Sequence, residues 1–156
     1  MGHFRESVRF HKLKIVYIFS TAFLFGYLVS PPGGFSAECP QPRKTATAPK
    51  EFYNKGNPLS DSLENIESGQ KLYQNKLKPL SCTFCHGEKG DGQGKLVKGM
   101  RVKPRNFTCS PTMKSIPDGQ LFWIIQNGSN SGMPAYKNLT DEQVWQLILY
   151  IRQLAN

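Results

Sequence analysis

Two cysteines and a histidine stand within one short stretch, Cys82-Thr83-Phe84-Cys85-His86. On a single helical turn two thiols at this spacing reach the two vinyl groups of one porphyrin, and the adjoining imidazole stands over its iron. C-x-x-C-H is thus the spacing of covalent haem attachment. Two other chemistries use a C-x-x-C pair. A redox dithiol usually sits at a strand-to-helix junction, and no strand pattern precedes Ser81. A structural zinc site wants a second close pair of ligands, whereas Cys39 and Cys109 stand singly and far apart. The residues therefore favour one covalent haem c carried by Cys82 and Cys85, with His86 on the iron.

Such a site needs elements to hold it. Leu63, Ile66, Gln70 and Tyr73 share a helical face, with Leu72 beside it, which predicts a helix over 62–76 that Pro79 ends. After His86 comes a glycine-rich loop, Gly87 to Gly94, and then irregular sequence as far as Pro111. The loop is not a phosphate cradle, because Lys95 is followed by Leu96 rather than Ser or Thr. Leu121, Phe122, Ile124 and Ile125 predict a second helix over 118–126, stopped by Asn127-Gly128. Thr140 and Gln143 form a capping-box pattern, and Val144, Leu147, Ile148, Ile151 and Leu154 follow at helical spacing. No sheet is predicted. The stretch from Cys39 to Leu59 holds four prolines and no apolar periodicity, so it reads as an extended arm without a helix. An all-α domain this small has a limited core of its own and needs a staple or a large buried cofactor.

Cys82 to His86 followed by Gly87-x-x-Gly90-x-Gly92 resembles the class I monohaem cytochromes c, and the resemblance runs from Leu63 to Leu154. It implies an all-α class I cytochrome c fold in which an N-terminal helix crosses a C-terminal one beside the haem-binding turn. Gly69 and Tyr73 match the small and aromatic positions of the first helix, with Trp145 and Tyr150 as candidate aromatics on the last. It also implies a methionine from a late loop as second axial ligand. Three methionines follow His86. Met100 and Met113 lie in basic or polar loop sequence, whereas Met133 lies between the last two predicted helices, where that loop belongs, and Pro134 stiffens it. The plain alternative for Met133 is an apolar loop residue packed on the core. Two departures stand out: the spacer from Tyr73 to Cys82 is longer than usual, and the proline expected soon after the glycine loop comes only at Pro104, which leaves open the carbonyl that orients His86. With His86 and Met133 on the iron the resemblance implies an electron carrier rather than an enzyme. A cytochrome subunit fixed in a membrane-associated oxidoreductase complex, and a haem enzyme or gas sensor with an open sixth site, are the alternatives.

The N-terminus bears on location. Arg5, Arg9, Lys12 and Lys14 precede an uncharged apolar run over 15–29, which has the layout of a secretory signal or an uncleaved membrane tether. The expected organisation is a signal peptide or anchor over 1–37, a proline-rich arm over 38–60 and a cytochrome c domain over 61–156, with everything from about Glu38 onward in the periplasm. Removing the leader takes away four basic residues and Glu6, leaving 16 basic against 10 acidic residues. Export makes acidic redox-partner proteins or a membrane respiratory complex better partners for this basic chain than nucleic acid. Lys89, Lys95, Lys98 and Arg101 are candidate docking residues, against the plain reading of a solvated surface. Cys39 and Cys109, left over in an oxidising compartment, are candidates for a disulfide that would contribute about 4 kcal/mol on the chain-entropy account.

Overall fold

The computed structural model describes Met1 and residues 38–42, 45–75 and 77–155. The chain divides into two compact units, Met1–Gly34 and Phe35–Asn156. The expected leader, with its apolar run over 15–29, lies outside the described residues apart from Met1. No helix among the described residues is long and apolar enough to cross a membrane. Those residues form α1 (Lys50–Tyr53), α2 (Leu63–Gln74), α3 (Cys82–His86), α4 (Ser110–Lys114), α5 (Asp118–Asn127) and α6 (Asp141–Gln153), with no strand. The fold is the all-α cytochrome c fold.

The α2 and α6 pair forms the frame. Ser62 caps α2 by accepting from the Asn65 amide, and α6 opens on the full capping box of Thr140 and Gln143, each worth about 1 kcal/mol at a helix start. The helices cross at Gly69, where a Cβ would run into the Gln146 carbonyl and stand 3.1 Å from the Tyr150 Cβ. Only glycine lets the backbones approach so closely. This crossing recentres the buried face of α2. Ile66, Gly69, Leu72 and Tyr73 turn inward, whereas Leu63 and Gln70 lie roughly 120° and 100° round the helix from Gly69 and are exposed. The helix also ends at Gln74, where Asn75 turns extended, well before Pro79.

Tyr73, Val144, Leu147 and Ile148 are fully buried, each aliphatic side chain contributing about 1.5 to 3 kcal/mol through burial. Phe122 of α5 stacks on Trp145 of α6 with ring centres 4.3 Å apart. Arg152 ties the end of α6 to α5, its Nε donating to the Asp118 carboxylate at 2.7 Å while its terminal nitrogens donate to the Met113 and Ile116 carbonyls.

Two short helices stand where irregular chain is predicted. A four-residue helix is not stable alone. In α1 the Pro49 carbonyl accepts from the Phe52 and Tyr53 amides at 2.9 Å, and Phe52 packs against Phe122. Tertiary contact therefore makes the helix, a correction to the helix-free arm. In α4 the proline falls at the second helical position, where no amide hydrogen is needed.

The arm packs against the helices of its own unit. Gln120, buried in α5, accepts from the Ala48 amide at 2.8 Å and donates to the Ala46 carbonyl at 3.2 Å. Asn57 donates to the Trp145 carbonyl at 2.9 Å. Near its start, Cys39 is joined to Cys109 by a disulfide with Cα atoms 5.6 Å apart.

Candidate haem site

Cys82, Cys85 and His86 all lie on α3, a single turn entered from an extended Ser81 and ended by Gly87 at φ 79°. The glycine loop then doubles back along that turn. Gly92, Gly94 and Leu96 donate their amides to the carbonyls of His86, Cys85 and Phe84 at 2.8, 3.1 and 2.9 Å. Gly87, Gly90 and Gly92 take positive φ, so the loop is a matter of backbone geometry. Tyr73 donates its phenol to the Gly87 carbonyl at 2.7 Å, fastening α3 to the main frame. Burial pushes that phenol's pKa far up, so it stays a donor.

His86 is the most constrained of the three. Its Nδ1 lies 3.0 Å from the Arg105 carbonyl, and since a carbonyl only accepts, Nδ1 carries the hydrogen. Nε2 is then the lone-pair nitrogen, and it has no hydrogen-bond partner among the described residues. Its ring stacks on Phe107 at 4.4 Å, and the Phe107 amide donates to the Gly90 carbonyl at 2.7 Å, so the segment that carries the Arg105 carbonyl is itself anchored. Burial, partly offset by the Arg105 hydrogen bond, holds the imidazole pKa down to about 4, leaving it neutral as an iron ligand must be. This answers which carbonyl orients His86: it belongs to the residue after the late proline, Pro104.

In front of His86 lies an apolar cavity of about 290 Å³. Cys82, Cys85, His86 and Met133 all line it, together with Ile124 and Ile125 of α5. Met133 stands on a short loop whose ends are set by Ser129. The Ser129 amide donates to the Met133 carbonyl at 2.8 Å, and the Met133 amide donates to Ser129 Oγ at 3.3 Å. Tyr136, on the far side of Pro134, donates its phenol to the Leu80 carbonyl at 2.6 Å and so links this loop to the approach of α3. Met113 is fully buried in the core and lines no part of the cavity; Met100 does line it.

The two thiols are free and unpaired with each other, in contrast to Cys39 and Cys109. Burial pushes the Cys82 pKa up to about 11 and raises that of Cys85, the opposite of what a nucleophilic dithiol requires. Nor does any group of three or more His, Cys, Asp or Glu side chains converge as a metal cage among the described residues. Of the basic candidates, Arg101 borders the cavity, while Lys89, Lys95 and Lys98 are exposed outside it. Arg105, Phe107 and Tyr136 are site residues that composition does not mark. The only sequence cue to them is the displaced proline, Pro104.

The model of the family described as cytochrome c oxidase, cbb3-type, subunit III matches residues 64–151, more than half of the chain. The chain belongs to this family of c-type cytochromes. No curated protein matches it. Among solved structures it is similar to a chain of the Kuenenia stuttgartiensis reducing HAO-like protein complex Kustc0457/Kustc0458, at 28% identity and a TM-score of 0.52, over 64% of this chain and 47% of that one. The cytochrome thus spans about half the length of that relative. It is also similar to the c-type cytochrome SorU from Sinorhizobium meliloti, at 19% identity and a TM-score of 0.43, over 60% of this chain and 94% of that one. A class I c-type cytochrome carries haem c and transfers electrons. The residues fit that group: two free thiols, an imidazole with its open nitrogen and a thioether line the same apolar cavity.

Proposed function

We propose that this cytochrome carries one haem c, bonded through Cys82 and Cys85 and ligated by His86 and Met133, and serves as a one-electron carrier in a periplasmic respiratory chain. When bound, the haem supplies the one-electron couple. The chain supplies the rest. His86 presents Nε2 with its ring fixed, Met133 offers a soft sulfur, and the apolar wall excludes water. Held by both His86 and Met133, the iron would have no position left for a substrate, which favours a carrier over an enzyme. The observation that carries this reading is the fixed tautomer of His86, with Nε2 free in a cavity bordered by both thiols and Met133.

Lys89, Lys95, Lys98 and Arg101 form the basic surface next to this site, and they steer an acidic redox partner. The Cys39 to Cys109 disulfide supports an oxidising compartment such as the periplasm, with residues 1–37 as leader or tether. The likeness to a chain of the Kuenenia complex favours a second reading, in which this cytochrome is a fixed subunit of a larger assembly.

Denaturation followed by acid-acetone extraction tests the central claim. Haem is expected to stay with the polypeptide, at one per chain by mass. Extractable haem, or a bare polypeptide mass, defeats it. Co-purification from native membranes distinguishes carrier from subunit.

A further inference from the structure

Gln41 makes four hydrogen bonds, three of them to residues 104–106. Its amide donates to Thr112 Oγ1 at 2.8 Å, its Nε2 donates to the Pro104 carbonyl at 3.1 Å, its Oε1 accepts from the Asn106 amide at 2.6 Å, and its carbonyl accepts from Arg105 Nη1 at 3.2 Å. The Asn106 amide and the Arg105 carbonyl belong to the same peptide plane. One end of that plane bonds to Gln41 and the other to His86 Nδ1.

We propose that Gln41, moored by the Cys39–Cys109 disulfide two residues away, is a positioning residue for His86 that lowers the reduction potential of the haem. The inference rests on the haem reading above and concerns this chain's own residues toward that group. A peptide unit is planar, so fixing its N–H fixes the direction of its C=O. A hydrogen bond accepted from the N–H also polarises the carbonyl and strengthens the bond it accepts from Nδ1. A stronger bond at Nδ1 makes the imidazole a more basic ligand, which favours ferric iron. Cys109 lies three residues beyond Asn106, and its sulfur is 3.2 Å from the Thr112 hydroxyl that receives the Gln41 amide. The disulfide therefore holds the arm at the place where the relay needs it.

The sign separates this role from that of a lid. Gln41 also lines the cavity. If it only covered the haem, its loss would admit water, stabilise the ferric charge and lower the potential. As a positioning residue its loss raises the potential. Gln41→Met keeps the side-chain length and removes the amide group. In the holoprotein this variant is expected to keep its covalent haem and to raise the ferrous-to-ferric ratio at a fixed ambient potential. The Nδ1 proton of His86, followed by NMR, should exchange faster with solvent. The double variant Cys39→Ala with Cys109→Ala should move both readouts in the same directions, and it carries the test if Gln41→Met does not mature. An unchanged or lowered potential with haem in place overturns the proposal and leaves the haem reading intact. An unmutated protein without covalent haem sinks both.

Discussion

On the His86 side of the cavity the imidazole is hydrogen-bonded to Arg105 and stacked on Phe107, and Tyr73 holds the Gly87 carbonyl that ends its helix. On the Met133 side the thioether rides on a loop fastened by Ser129 and, beyond Pro134, by Tyr136. One wall is made rigid by contacts that arrive from α2, the glycine loop and the arm. The other is a short loop between α5 and α6. The difference matches the ligand roles proposed for them: an imidazole needs a set tautomer and ring plane, whereas a thioether has no proton to place and tolerates small shifts.

Breaking each wall should give unequal results. Changing Cys82 and Cys85 together to Ala removes both thioethers and should leave a haem-free, poorly folded chain by circular dichroism, because the haem is the largest apolar element available to a small core. Met133→Ala should instead leave a folded protein with its haem attached. It should lose the weak sulfur-to-iron charge-transfer band of the ferric form, fall in reduction potential and bind carbon monoxide. Met100 also borders the cavity, so Met100→Ala is the informative control. If it removes the band and Met133→Ala does not, the ligand assignment passes to Met100. If the unmutated protein lacks the band and binds carbon monoxide readily, the enzyme or sensor reading replaces the carrier.

The walls also differ in charge. Lys95 and Lys98 are exposed on the loop that wraps α3, whereas Lys137 follows the Met133 loop and its Nζ donates to Asn127 at 3.2 Å. Reversing Lys95 and Lys98 to Glu should slow association with an acidic redox partner by about tenfold at low salt, an effect that fades as salt is added. Lys137→Glu should change it much less. Equal effects would place docking on both sides. The smallest expected effect belongs to Tyr73→Phe. It removes one buried hydrogen bond to Gly87 and should lower unfolding stability by about 1 to 3 kcal/mol in denaturant titrations, with the charge-transfer band retained.

Local rules made much of this legible. The capping box at Thr140, the apolar spacing of α6 and the stop at Gly128 belong to contiguous residues, and all three stand in the structure. The haem motif is likewise complete within one turn. Where the structure departs from local pattern, a distant partner is the cause. The buried face of α2 departs from the sequence pattern at Leu63 and Gln70 because Gly69 meets Gln146, and the arm holds a helix because Phe52 packs on Phe122. Neither α1 nor α4 carries enough residues to signal itself.

By itself the sequence determined the class of fold, the positions of the long helices and the C-x-x-C-H turn that is proposed to carry the haem, since these follow from periodicity, caps and a five-residue spacing. It narrowed the methionines by order along the chain. Only the tertiary structure decided that Met113 is core, that Arg105 orients His86, and that Gln41 reaches across 65 residues to the Asn106 amide. The reason is that backbone carbonyls and amides look alike in every sequence. Which of them faces a ligand depends on how segments far apart in the chain come to lie side by side, and no local pattern records that.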